Sequence, residues 1–257
     1  MDKNSLLNEN SFVNLNHLRD NSIEFDEKNH IYYVNSKKID YSVTEFVHLF
    51  FPEFNSDNII EKYYEIWQSN ENSPYFGLTP SEIRDLWQES GNEAARLGTI
   101  LHKDIESFYL GKNIKNNSKE YSHFQEFYND FSDFKPIKME WCIYDEELGI
   151  AGSIDCIFEN DGEIIIVDWK RSKEIKEQSR EQGFYPLSHL PNANYWHYSL
   201  QLNIYKYILE KNYNLKISGM NLVILHPNND SYKIIKVQNL QKEVEDIFKL
   251  RLKELDI

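Results

Sequence analysis

The 257-residue chain carries only two cysteines, Cys142 and Cys156. That number excludes a disulfide framework, a four-cysteine zinc site and an iron–sulfur set; two thiols suit a reducing compartment, with a single bridge left open. Glycine (9) and proline (7) are scarce, which excludes collagen-like and low-complexity chains. Long apolar runs are missing too. The stretch 46–51 is short and interrupted, far below the roughly 18–20 residues of a membrane span. The start, MDKNSLLNENSF, has no basic region followed by an apolar stretch, so no secretory signal is expected. No G-x-x-x-x-G-K-[ST] segment occurs, so no ATP is expected and any motor would be a separate chain. These absences predict a soluble intracellular protein, in cytoplasm or nucleus, with no membrane partner. A positive charge is also lacking. The formal net charge is −14, whereas a nucleic-acid binder normally shows a basic footprint. The sum hides an asymmetry: residues 1–167 hold 31 acidic and 14 basic side chains, and residues 168–257 hold 11 and 14.

With 40% apolar and 14% aromatic residues, the chain can bury a sizeable core. Residues 1–21 are polar and read as a loosely held arm. Residues 22–257 read as a single domain, in which 22–90 form a hairpin and helical extension and 91–257 a catalytic core. Alternation around Glu27-Lys28-Asn29 predicts a hairpin over 22–40. Ser42 with Glu45, and Thr79-Pro80 with Glu82, have capping-box spacing and start helices. A helix is expected over 57–68. The Thr79 helix runs toward Leu110 with Gly91 and Gly98 as kink points, and another covers 119–131. The pattern then changes to strands at 136–144, 150–159 and 163–170. A loop over 171–193 leads to a helix at 195–211, strands at 217–226 and 231–237, and a helix at 240–254.

The most informative stretch is GSIDCIFENDGEIIIVDWKRS. Asp161-Gly162 is a strong two-residue turn signal. With those two as the loop, Asn160 faces Glu163, and Asp155 stands opposite Asp168 on a face that also carries Lys170. Directly opposed side chains have Cβ atoms about 4.5–5.5 Å apart, and like charges there are destabilising. Two desolvated carboxylates so placed share a proton, pair with a cation or hold a metal. A D-x-K tripeptide alone is explained by a buried ion pair; the G-x-x-D at matched spacing favours a site. Hard oxygen ligands beside a lysine suit Mg²⁺ or Mn²⁺ with a phosphate.

Other residues could join this cluster. His102 and Glu106 are four apart and share a helix face; His102 offers a nitrogen ligand that shifts selection toward Mn²⁺, or is simply a packed histidine, and Glu106 is a secondary candidate. Glu140 comes near Asp155 if the turn around 145–148 is short, and is a candidate extra acid. Gln201 and Tyr205 share a later helix face suited to a phosphate or a base, or to ordinary packing. Arg171 and Lys173, with Lys176 and Arg180, put positive charge just beyond the acids, where they could contact phosphates or be solvated.

In order, G-T-x-L-H (Gly98–His102), Glu140, G-x-x-D (Gly152–Asp155), D-W-K (Asp168–Lys170) and Q-x-x-x-Y (Gln201–Tyr205) resemble the PD-(D/E)XK nuclease superfamily. The match is closest to its RecB-like branch, and is similar to the mitochondrial genome maintenance exonuclease and to nucleases of large DNA viruses. The resemblance implies an α/β (α+β) fold: a three-layer αβα restriction-endonuclease-like core with a mixed central sheet and a helical N-terminal extension. It further implies Mg²⁺ or Mn²⁺ held by His102, Asp155 and Asp168, catalysis by Lys170, and Gln201 and Tyr205 near the DNA. The expected activity is metal-dependent hydrolysis of DNA, as an exonuclease on single strands or ends, alongside replication or repair proteins. An RNA endonuclease of the same fold (cap-snatching type) and a non-catalytic nucleic-acid-binding module are the alternatives.

Overall fold

The computed structural model describes residues 16–256, so most of the polar N-terminal segment lies outside the described residues. The chain divides into two compact units, one made of residues up to Pro52 with His102–Ile257, the other of Glu53–Leu101.

In the larger unit a short 3₁₀ turn (Leu18–Ser22) is tied down at Asp20. Its Oδ1 accepts from Trp141 Nε1 (2.7 Å) and its Oδ2 from Lys138 Nζ (2.9 Å). Strands β1 (Ile23–Asp26), β2 (Ile31–Val34) and β3 (Lys37–Lys38) form a small antiparallel sheet. The main sheet is mixed. It contains β4 (Tyr41–Ser42), β5 (Lys135–Asp145), β6 (Ile150–Asn160), β7 (Glu163–Lys170), β8 (Ile217–Ile224) and β9 (Lys233–Lys236). β4 runs parallel to β6, and β7 parallel to β8; the pairs β5–β6, β6–β7 and β8–β9 are antiparallel. The observed register Asn160↔Glu163 and Ile157↔Ile166 is the one the Asp161-Gly162 turn predicts; both turn residues have positive φ, 51° and 80°, as a type I′ turn requires.

Helices cover both faces. α1 (Val43–His48), α5 (Asn194–Asn212) and α6 (Gln241–Glu254) share one apolar core, with Val43, Phe46, Leu200, Ile204, Ile208, Val244 and Ile247 packed against Ile157, Ile166 and Leu222 of the sheet. On the opposite face, Phe124 and Phe127 of α4 (Lys119–Asp130) meet the Trp169 ring edge-on at 5.8 and 5.2 Å. Tyr109, the last residue of α3 (Pro80–Tyr109), meets Phe158. The result is the mixed-sheet, three-layer α/β core that the sequence predicts. Both capping boxes form, at Ser42/Glu45 and Thr79/Glu82. In the smaller unit, α2 (Ser56–Gln68) and the first part of α3 frame Trp67, Tyr75 and Trp87, with Trp87 Nε1 donating to the Tyr75 hydroxyl (3.0 Å).

The two edges of β6 are paired differently. β5 lies along its whole length on one edge. β4 pairs with Ile150 and Ala151, and β7 with Cys156–Asn160, so both occupy the other edge, at opposite ends. Among the described residues, Gly152–Asp155 between them have no strand partner on that side. Here Tyr205 of α5 comes close: a Cβ built on Gly152 would lie 2.8 Å from its Cε1, 3.0 Å from its hydroxyl and 3.0 Å from Val43 Cγ2. Gly152→Ala should therefore destabilise the fold by about 1–3 kcal/mol through overpacking. In urea unfolding, Gly152→Ala/Tyr205→Leu should lose less than the two single changes added together; strict additivity would refute the contact.

Candidate active site

Beyond Cys156↔Val167 the β6–β7 ladder stops. The sequence places Asp155 directly opposite Asp168 as a ladder pair; the structure instead shows the two strands parting there. Trp169 N–H, which loses its strand partner, donates to Asp155 Oδ2 at 2.8 Å. Trp169 C=O accepts from His102 Nε2 at 2.7 Å. A buried peptide group must find a partner, and at this point both partners are side chains of the site.

The bond to a carbonyl, which only accepts, puts a proton on His102 Nε2. In the neutral ring Nδ1 then carries the lone pair. Nδ1 lies 3.5 Å from Asp155 Oδ2 and 3.9 Å from Glu140 Oε1. His102, Glu140 and Asp155 each bring one ligand atom to within 4.8 Å of the others. A lone pair facing two carboxylate oxygens is a donor set for a cation. A backbone acceptor on the far ring nitrogen is the arrangement that orients metal-binding histidines.

Glu140 arrives there by an unusual backbone. Met139↔Cys156 and Trp141↔Ile154 are paired while Glu140, opposite Asp155, is not, and its φ is +42°. A non-glycine residue in that region costs of order 1–3 kcal/mol and clusters at functional sites. Ser153 Oγ donates to Glu140 Oε2 (3.3 Å). Burial, then the negative charges of Asp155 and Glu106, push the Glu140 carboxyl up to about 8. Glu106 thus belongs to the same acidic cluster, and about a third of the Glu140 side chain remains exposed.

Asp168, 3% exposed, is joined to Lys170. Nζ donates to Oδ1 at 3.0 Å and sits 2.8 Å from Oδ2, but from a direction that leaves Oδ2 buried without a hydrogen bond. Burial and Asp155 raise the Asp168 carboxyl to about 6 despite Lys170. Burial would lower the Lys170 ammonium, but Asp168 and Asp155 outweigh it and hold it up at about 12. The Tyr198 ring, 4.6 Å from Nζ, completes its surroundings; nothing in the sequence pattern singles out Tyr198.

The remaining candidates are distributed around this centre. Tyr205 is 3% exposed beneath Gly152, and Gln201 Nε2 donates to its hydroxyl (3.0 Å). Gln201 is the more accessible of the two. Arg171 Nε is bound to Glu120 Oε1 (2.8 Å), a partner that no local sequence signal announces, and Lys173 is exposed.

Residues 118–255 match the family model of the PD-(D/E)XK nuclease superfamily. That is more than half of the chain, and the chain belongs to this superfamily. Its substrate class is therefore nucleic acid, and its members use divalent metals; His102 precedes the matched span. No curated protein matches the chain. Among solved structures it is similar to that of SSO0001, with 17% identity over 84% of this chain and 75% of that one, TM-score 0.35. It is also similar to a Eubacterium rectale protein described as a candidate exonuclease, with 14% identity over 80% and 70%, TM-score 0.34.

The raised carboxyls fix a sign for pH dependence. Without metal, the folded state keeps protons on Glu140 and Asp168 that the unfolded chain has already released. Stability should therefore fall as pH rises from about 4, the ordinary carboxylate range, through about 8. Thermal melts in EDTA should show this decline, and Glu140→Gln should flatten it above pH 6. If a cation takes the place of those protons, Mn²⁺ should raise the melting temperature more at pH 8.5 than at pH 6. Equal shifts at both pH values would contradict the cluster's role as a cation site.

Proposed function

We propose that this chain is a divalent-metal-dependent DNA nuclease of the RecB-like branch. In this reading it acts as an exonuclease on single strands or DNA ends, in replication, repair or recombination. The observation that carries the reading is the convergence of His102 Nδ1, Glu140 and Asp155 next to the Asp168–Lys170 pair.

His102, Asp155 and Glu140, with Asp168 beside them, would hold Mg²⁺ or Mn²⁺, which when bound polarises a phosphoryl oxygen and makes hydroxide available near neutral pH. The chain's own groups supply the rest. Lys170 stays cationic between Asp168 and the Tyr198 ring, so it is a poor proton acceptor. Its part is to orient the attacking oxygen and to offset negative charge building on the phosphate. Asp155 and His102 keep their orientation because each is fixed to a peptide group of Trp169. Gln201, held near the Thr44 hydroxyl and on Tyr205, offers polar contact to the substrate. The partly exposed Glu106 adds negative charge.

The test is cleavage of end-labelled single- and double-stranded DNA, with RNA in parallel. Cleavage should require Mg²⁺ or Mn²⁺ and stop in EDTA. Lys170→Ala and Asp155→Asn should each reduce it by about 100-fold or more. Robust cleavage by Lys170→Ala would refute the mechanism. RNA cut with DNA left intact would replace the DNA reading with the RNA endonuclease, and DNA bound but never cut would leave a binding module.

A further inference from the structure

The C-terminal ends of β7 and β8 lie side by side. Lys170 pairs with Ile224, and Leu225 N–H donates to Lys170 C=O at 2.9 Å. The chain just beyond each strand, carrying Arg171 and His226, therefore emerges at the same rim, next to the Lys170 of the proposed centre. Three basic side chains there keep donors that are unpaired among the described residues. Arg171 and Glu120 have side chains only 12% and 10% exposed, joined through Nε. That bond fixes the plane of the guanidinium, while its two Nη groups have no hydrogen-bond partner among the described residues. His226 Nδ1 accepts from Asn228 N–H (3.2 Å), so the neutral ring carries its proton on Nε2, which likewise has no partner among the described residues. Lys173 is exposed and unpaired among the described residues. Burial, then Arg171 and Lys173, depress the His226 imidazole while Glu120 opposes them, so Arg171, Lys173 and Glu120 all lie within electrostatic reach of His226.

We propose that Arg171, Lys173 and His226 form a subsite for a backbone phosphate next to the one being cut, with Glu120 as the residue that orients Arg171. A planar guanidinium with Nε anchored presents its Nη pair as a fork, the geometry that grips phosphate oxygens. Arg171 follows Lys170 in the chain and turns toward Glu120 of α4, so the subsite sits at the rim beside the proposed centre and serves a neighbouring phosphate of the same strand. Contacts of this kind position a strand without reading its bases. The inference rests on the nuclease reading and adds to it a sequence-independent grip on the strand.

Anisotropy titration of a labelled single-stranded DNA oligonucleotide in EDTA, across a salt series, tests it without turnover. Glu120→Gln/Arg171→Gln removes both halves of the buried pair, leaves net charge unchanged and strands no ion. It should weaken binding about tenfold and reduce the log–log salt slope by about 0.7. Lys173→Ala, at an exposed position with no hydrogen bond or ion pair among the described residues, should lower the slope by the same amount. His226→Phe should weaken binding about fivefold. If the wild type binds and all three folded variants bind like it with the same slope, the subsite is overturned and the nuclease reading stands. If the wild type binds no oligonucleotide at any salt, the subsite is overturned, and the nuclease reading is decided separately by the metal-dependent cleavage assay.

Discussion

Between Ala151 and Cys156 one edge of β6 has no strand beside it, and the peptide groups of Trp169 across the gap must be satisfied by something else. Leaving a buried peptide donor or acceptor unpaired costs about 1–3 kcal/mol. Asp155 takes the donor and His102 the acceptor. The same bonds that rescue the backbone therefore aim the carboxylate and the imidazole at one point. The helix that brings in His102, the strand that brings in Asp155 and the strand that carries Lys170 are held in register by a single residue's main chain. Gly152 allows Tyr205 to close the base of the gap from the α5 side.

The electrostatics follow from this geometry. Asp155 helps raise both Glu140 and Asp168, and Glu106 adds to the effect on Glu140; one lysine cannot neutralise the cluster. Such a cluster opposes folding in the absence of a cation, and Glu140 adds a backbone in the left-handed region. Both are costs that a fold tolerates where binding recovers them. The net charge of −14 is then no obstacle to a polyanionic substrate. Its acids lie mainly before residue 168, some of them in the proposed cation site, whereas Arg171 and Lys173 follow it directly.

The hairpin could be read from the sequence because its turn, Asp161-Gly162, demands positive φ and strand alternation does the rest. Capping boxes at Ser42 and Thr79 announced helix starts for a similarly local reason. His102 and Glu106 share a face by helical spacing alone. Long-range events left no such trace. The strands part after Cys156, and the far end of the same edge is taken by β4, more than a hundred residues upstream. Glu140's positive φ has no local signal, since nothing near it is glycine or asparagine. Arg171's partner Glu120 is 51 residues away, and His226 joins the rim only through the parallel β7–β8 pairing. The division of the chain at residues 53 and 101 is likewise silent, because α3 is periodic across it.

Position 169 shows how chemistry and packing are kept apart in the D-x-K segment. The centre uses Trp169 through its amide and carbonyl alone, which any residue but proline provides. Its indole points to the other face of the sheet, among Phe124, Phe127 and Phe158. The middle letter of the motif thus takes no part in the proposed reaction and is bound to the aromatic layer. A substitution there is constrained by the volume and shape that α4 requires, so the groups proposed to react on one face and the aromatic packing on the other are set largely independently.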